Sequence, residues 1–445
     1  MTYYSIQVIH HIFIGFFLFY SFSGLSKIIE DINILKNNYN YPVILILYFI
    51  VSFLIFFLNK DIQIYFSSLA ILYLFYKNFS FKFDRKSLIL FLIIVTFSFF
   101  NGKIIHGASE LYSVHAPLDT YFFVSLIYQS NLDSLFQSGN LTLLNNNYKI
   151  SNILISFIGY QFSFLKYFDG FSFISISIPI FIFLSIRKEI QFFFNTKIKN
   201  NNIIFILLLS IFALPYPLYL YESPYVLLAI PILPSIANMM VATKIDYRQI
   251  SFILFSILIT KIAIISLFFL TLFFNFIKNK KRQNIYFLFL IFLFSFLLLN
   301  LVIPFKDILF FFQEIDFDIT DLKLNYSGLH KISHLFAIIL FLIFLENQFK
   351  IFIFLPSILL YIFFPSSSPG QLFYTFMLIS FLLFYDKQNL LKNRFFNVLI
   401  NKAIIKYLQF LPVTVFCFSL LFGLFINVTF FYYFFYFSVF LLCFN

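Results

Sequence analysis

Apolar stretches long enough to cross a bilayer, separated by short basic clusters, run along nearly the whole chain of 445 residues. Runs of this length are those of membrane-spanning helices, whose backbone polar groups are satisfied within the segment. Charged residues make up 11% of the chain and hydrophobic residues 62%, too little polar surface to coat a soluble globule. The sequence therefore predicts an all-α, polytopic transmembrane helix bundle in an inner (plasma) membrane, with extracytoplasmic loops that carry short interfacial helices.

The formal charge of +12 is unevenly spread. Basic clusters fall at Lys77 to Lys86, Arg187 to Lys199, Lys278 to Arg282 and Lys387 to Lys406. The excess of Lys and Arg in cytoplasmic loops assigns all of these to the inside. No Lys or Arg occurs between residues 104 and 148, which marks a long outer loop; residues 305–330 and the uncharged turn Pro365 to Gly370 also fit the outside. With 77 Phe, 29 Tyr and no Trp, Tyr has to provide the interfacial aromatic belt.

Three helices are expected before residue 77, then helices near 87–103, 171–186, 203–221 and 224–241. Others are expected near 284–304, 331–346, 351–364, 371–386, 409–428 and 429–443. Residues 121–138 and 150–165, apolar but rich in Ser, Gln and Asn, suit helices lying along the outer interface better than a pair of spanning helices, which would return the chain to the same side. The run from Ser251 to Phe276 has Arg248 before it and Lys278 after it. Both flanks are basic, so an even number of crossings is needed, and a pair of half-helices turning at Lys261 satisfies that count. The first apolar run has no basic segment before it and no clear cleavage site, so it is expected to be retained as a helix. Three regions result: 1–77 with extra N-terminal helices, a core over 78–390, and C-terminal helices over 391–445. Cys417 and Cys443 suggest neither a disulfide framework nor a metal site.

The outer loop gathers His106, Glu110, His115 and Asp119. A carboxylate beside a membrane can deprotonate an acceptor hydroxyl or hold a divalent cation, and a nearby His can share the proton or ligate the same ion. Glu110, His115 and Asp119 are the candidate catalytic residues. Lys261 stands alone in ILITKIAIISLFF. A lysine at the bilayer centre costs roughly 2.5–3.5 kcal/mol on insertion scales, so it is expected to snorkel to the interface or to meet an anion such as a lipid phosphate. Asp316-Phe317-Asp318 has the spacing of a metal-diphosphate motif but reads better as part of a solvated acidic loop. His330 and His334 lack a third ligand at helical spacing. The chain contains no phosphate loop, dinucleotide fingerprint, zinc-protease motif or nucleophile elbow, which leaves ATP-driven transport and soluble-type hydrolysis without support.

From a basic segment and one helix the chain passes to Asp119 followed by Thr120-Tyr121-Phe122, and then to NNNYKISNILISFIGYQF. This resembles the start of the GT-C superfamily of integral-membrane glycosyltransferases, whose members carry D-E-x-x-Y after the first core helix and an aromatic-led helix ending in Phe-Gly. Later, Thr260-Lys261 in LFSILITKIAII is similar to the Thr-Lys of that superfamily's G-L-A-L-L-T-K-G-P segment. The resemblance spans roughly residues 85–390. Thr120 stands where the second acid would be, Ile158-Gly159 where Phe-Gly would be, and Ile262-Ala263 where Gly-Pro would be.

The resemblance implies transfer of a sugar from a polyprenyl-phosphate donor to a lipid, glycan or protein acceptor. Asp119 would serve as general base or would orient a divalent cation (Mg or Mn). Lys261, with Lys323 or Lys331, would neutralise the leaving phosphate. A nucleic-acid partner is not expected. Two rivals use the same lipid carriers: a polymerase or ligase of the O-antigen or capsule type, and a transporter or flippase. The first usually depends on outer-loop Arg, which both main outer loops lack. The second needs charges deep in several helices, where only Lys261 and Glu222 are found. A non-catalytic scaffold is the remaining alternative.

Overall fold

The computed structural model describes residues 3–31, 41–58, 65, 69, 72–77, 154–155, 158–194, 224–240, 242, 247–261, 264–279, 372, 376 and 379. Among them there are helices and turns and no strand. The chain divides into two compact units, residues 1–193 with 218–315 and residues 194–217 with 316–445. In the second unit Leu372, Phe376 and Ile379 are helical and buried, and their spacing places them on one helical face.

The first unit opens with α1 (Tyr3–Asp31) and α2 (Tyr41–Leu58). Residues 72–77 are helical as well, so helices do occupy the region before residue 77. Among the described residues one helix, Ile6–Ser26 within α1, is long and apolar enough to cross a membrane, and shorter apolar helices cover Tyr41–Val51, Leu227–Met239 and Gln249–Ile259. Apolar side chains on the open faces of these helices stay exposed: Phe13 on α1, Val51 on α2, and Tyr65, Leu69 and Tyr76 beyond it.

Next comes α3 (Gly170–Ser172), which passes through a π-helical turn, Phe173–Ser177, into α4 (Ile178–Phe194). Asp169 starts it, its carboxylate accepting from the Ser172 amide at 2.9 Å, a side-chain cap on an otherwise open helix end. The helix runs to residue 194, past the expected end near 186. The π turn packs against α1. Gly15 allows this approach: a Cβ at that position would lie 2.7 Å from the Ser177 carbonyl oxygen and 2.9 Å from Ile180 Cβ. Phe22 stacks edge-on against Phe181 at 4.7 Å and packs on Tyr48 of α2 at 4.9 Å.

The helix expected over 224–241 is broken into α5 (Pro224–Ala229), a 3-10 turn (Ile230–Ile232) and α6 (Leu233–Met239). Pro231 and Pro234 explain the interruption, because each removes a backbone donor and clashes with the preceding turn. After it come α7 (Tyr247–Ile259) and α8 (Ile265–Asn279), separated by a break at Thr260 and Lys261. The chain breaks where the sequence places a turn between half-helices.

The two halves fold back on each other. Asn275 near the end of α8 donates from Nδ2 to the carbonyls of Met239 (2.6 Å) and Ala242 (2.8 Å). Ala242 precedes the start of α7 at Tyr247 by five residues, a reach of about 18 Å at most. One unbroken helix from Tyr247 to Asn275 would be about 42 Å long, so the hydrogen bonds require a reversal. The 13 residues of α7 and 15 of α8 give lengths of about 20 and 22 Å, short of the roughly 30 Å hydrocarbon core. α7 packs along α2, and α8 packs on α6.

Of the two expected interfacial helices, 121–138 lies outside the described residues. The second is partly seen. Residues 158–160 are helical, but the chain then proceeds through successive turns, with Phe162 N donating to Gly159 O, Leu165 N to Phe162 O and Phe168 N to Leu165 O.

Candidate functional site

Asp119, Glu110, His115, Lys323 and Lys331, together with His106, Asp316, Asp318, His330 and His334, lie outside the described residues. Lys261 is described. It is half-buried at the apex between α7 and α8, and its carbonyl accepts from the Ile264 amide at 3.2 Å. The turn before it is held by side-chain hydroxyls: Thr260 Oγ1 donates to the Ser256 carbonyl at 2.7 Å, and Ser256 Oγ to Ile253 O at 2.7 Å. The Thr260 hydroxyl satisfies a carbonyl that the stopping helix leaves open, and hydroxyls bonded back to the preceding turn bend a helix. Thr260-Lys261 thus forms a built apex with one cationic side chain.

Two further polar constellations pin α1 and α2 to the α3–α4 helix. At one end, His11 is fully buried between α1 and the π turn. Asp169 N donates to its Nε2 at 3.1 Å, which makes Nε2 the acceptor and leaves the proton on Nδ1. That proton faces Ser177 Oγ at 3.0 Å, while Ser177 Oγ donates to the His11 carbonyl at 2.8 Å. The imidazole is neutral and engaged at both nitrogens. It has no open nitrogen for a metal or a substrate proton.

At the other end, the Glu189 carboxyl is completely buried. It accepts from the Tyr41 backbone amide at 2.7 Å and lies 3.5 Å from Ser235 Oγ. Tyr41 is the first residue of α2, so a side chain from α4 satisfies an orphan amide at another helix's N-terminus. Tyr41 also donates its hydroxyl to the Leu228 carbonyl at 3.0 Å. Burial pushes the Glu189 carboxyl up to about 8, against the opposing pull of the Tyr41 hydrogen bond, Lys188 and Ser235. At neutral pH it is an uncharged hydrogen-bonding group.

The sequence analysis singled out none of these residues. The available signals were a His-His pair inside an apolar run and a single acid, Glu189, between basic neighbours and an apolar stretch. Neither says which helix the side chain will meet. Among the described residues no group of three or more His, Cys, Asp and Glu side chains could hold a metal ion. Gln161 is buried, and neither atom of its amide has a hydrogen-bond partner.

No protein-family model, curated protein or solved structure matches this chain.

Proposed function

We propose that this chain is a multi-pass membrane glycosyltransferase that moves a sugar from a polyprenyl-phosphate carrier to a lipid, glycan or protein acceptor on the extracytoplasmic face. The observation that carries the reading is the folded-back α7–α8 pair with Lys261 at its apex. Both ends of the pair are flanked by basic residues, Arg248 and Lys278, which fit the same cytoplasmic side. A hairpin of about 20 Å entering from that side brings its apex well past the bilayer centre. A lysine side chain there extends toward the outer headgroups, where a lipid phosphate resides.

The directions of the other helices support the same orientation. His11 meets Ser177 while Phe22 meets Phe181, so α1 and α4 run the same way. The basic stretch after residue 186 places the end of α4 inside, and with it the end of α1 and the start of α2 at Tyr41. Glu189 touching Tyr41 is the contact this arrangement requires. Residues 169–177, at the opposite end of α4, then lie toward the outer face, in continuity with the Lys- and Arg-free loop over 104–148. The exposed apolar faces of α1 and α2 are suited to lipid.

In the proposed reaction Asp119 takes the proton of the acceptor hydroxyl, directly or while orienting a divalent cation. The acceptor oxygen then bonds to the anomeric carbon as the bond from that carbon to the phosphate oxygen breaks. The polyprenyl phosphate leaves with the electron pair, and Lys261, with Lys323 or Lys331, meets the charge it gains. Such a donor needs no nucleotide-binding domain, consistent with the absence of nucleotide motifs from the sequence.

The test is replacement of Asp119 by Asn and of Lys261 by Ala, with surface glycan followed by gel shift at matched protein level. Loss of product in both variants is expected. Unchanged glycan in Asp119→Asn would remove the catalytic assignment, and unchanged glycan in Lys261→Ala would remove the hairpin from the reaction.

A further inference from the structure

The run of turns from Gly159 to Asp169 carries a cation that the proposed reaction does not use. Phe162 anchors the run against Phe17 and Phe173, and Phe168 anchors it against His11 and Phe173. Between these anchors the chain turns outward, exposing Phe164 and Lys166. Lys166 Nζ lies over the Tyr167 ring at 5.7 Å from its centroid. His10 of α1 stands edge-on to the same ring at 6.3 Å. The nearest acid in sequence is otherwise engaged: Asp169 Oδ2 accepts from both the amide and the hydroxyl of Ser172. The result is a fixed aromatic platform, clamped to α1 by His10, that presents an ammonium group whose neighbouring carboxylate points into a helix end.

We infer that Lys166 and Tyr167 form a headgroup site that binds the phosphate of an anionic lipid at the outer face. An exposed Phe beside an exposed Lys is the pattern of a segment that dips its ring among acyl chains and keeps its charge at headgroup level. The charged group offered by a membrane at that level is phosphate, and a lysine ammonium binds it as a point charge. Tyr167 holds the ammonium from below by a cation–π contact, and the His10 ring packs edge-on against Tyr167 from α1. The phosphate could come from a bulk anionic lipid or from a polyprenyl phosphate. The inference rests on the outward placement of residues 159–169 in the reading above, and it adds a second contact, distinct from Lys261, that holds a lipid at the surface.

The chain has no Trp, so Tyr167→Trp introduces a single indole into the platform. The full chain, in phosphatidylcholine nanodiscs, is titrated with farnesyl phosphate, and separately reconstituted with part of the phosphatidylcholine replaced by phosphatidylglycerol. A saturable change in indole emission is expected. Lys166→Ala should weaken the response about tenfold, as loss of one charge-assisted contact would, and Lys166→Arg should restore it to within about twofold. A response to farnesyl phosphate alone assigns the site to the lipid carrier; a response to both assigns it to anionic headgroups in general. Retention of radiolabelled farnesyl phosphate by the unsubstituted Tyr167 protein, with and without Lys166→Ala, gives the same reading if the indole disturbs the fold. Absence of a saturable response to either lipid, or affinity unchanged by Lys166→Ala, overturns the inference. Asp119→Asn separates the two proposals: lost product with an intact lipid response leaves both standing, lost product with no lipid response sinks only this one, and unchanged product with an intact lipid response sinks only the catalytic assignment.

Discussion

The His11 end and the Glu189 end of the α3–α4 helix do the same structural task with different chemistry. At the first, a neutral imidazole receives one hydrogen bond and gives one, and the neighbouring hydroxyl closes the ring of contacts through the His11 carbonyl. At the second, a carboxyl caps a helix that does not contain it. The first is complete in one protonation state. The second is a titratable group held away from its usual state. Buried polar groups can thus fix helix packing in a largely apolar chain, by a side chain bonded at both ends or by a side chain that caps a neighbouring helix.

The largest effect is expected where the first joint depends on backbone contact. Gly15→Ala would place a methyl 2.7 Å from the Ser177 carbonyl oxygen, and neither a helix backbone nor the branched Ile180 can yield cheaply. Overpacking of this kind costs about 3 kcal/mol, and the loss should appear as a lower melting temperature in detergent. A melting temperature within a degree of the parent would mean that α1 does not approach the π turn so closely.

The second joint should yield less, and its sign depends on pH. The Glu189 carboxyl ordinarily titrates near 4.5, and burial raises it to about 8 in the folded chain. Between those values the folded state holds a proton that the unfolded state has released. Stability from this group therefore falls as pH rises through that window and does not change below it. Glu189→Gln copies the protonated form, keeps the acceptor for Tyr41 N and should flatten the decline. Glu189→Leu leaves the amide of Tyr41 unsatisfied and should cost about 2 kcal/mol at acid pH, the difference from the parent shrinking as pH rises through that window. Parallel pH–melting curves for the parent and Glu189→Gln would show that the carboxyl is not the titrating group.

Ser177→Ala should cost about 1–2 kcal/mol, because it strands the Nδ1 proton of a buried imidazole. The double change His11→Phe with Ser177→Ala removes donor and acceptor together and should recover part of that loss. Thermal melts of the two single variants and the double form the cycle. Strict additivity would mean the pair is not coupled.

Helical class, the helices before residue 77 and the break at Lys261 were legible because each depends on local pattern: apolar run length, basic flanks, and one cation in an otherwise apolar stretch. The packing of the π turn was not legible, since it depends on Gly15 meeting Ser177, residues far apart in the chain. The same holds for Glu189, whose role is set by the amide of Tyr41 at the start of another helix. Pro231 and Pro234 break the helix expected over 224–241, and their positions in the sequence carry that signal. Of the predicted site, Lys261 falls on a described turn, while Asp119, Glu110 and His115 lie outside the described residues.

The smallest expected effect tests the reversal on which the hairpin depends. Asn275 gives its two side-chain protons to the carbonyls of Met239 and Ala242, closing the end of α6 with a group from α8. Met239 is the last residue of α6 and Ala242 lies just beyond it, so one side chain ties the exit of α6 to α8. Asn275→Ala should therefore cost about 1 kcal/mol. Asn275→Asp should cost more at neutral pH, because an ionised carboxylate offers only acceptors to two carbonyl oxygens. At a pH low enough to protonate that side chain one donor returns, and the gap between the two variants should narrow. If Asn275→Asp melts like Asn275→Ala across the whole range, the side chain does not face those carbonyls, and the argument that α7 and α8 turn back at Lys261 loses its footing.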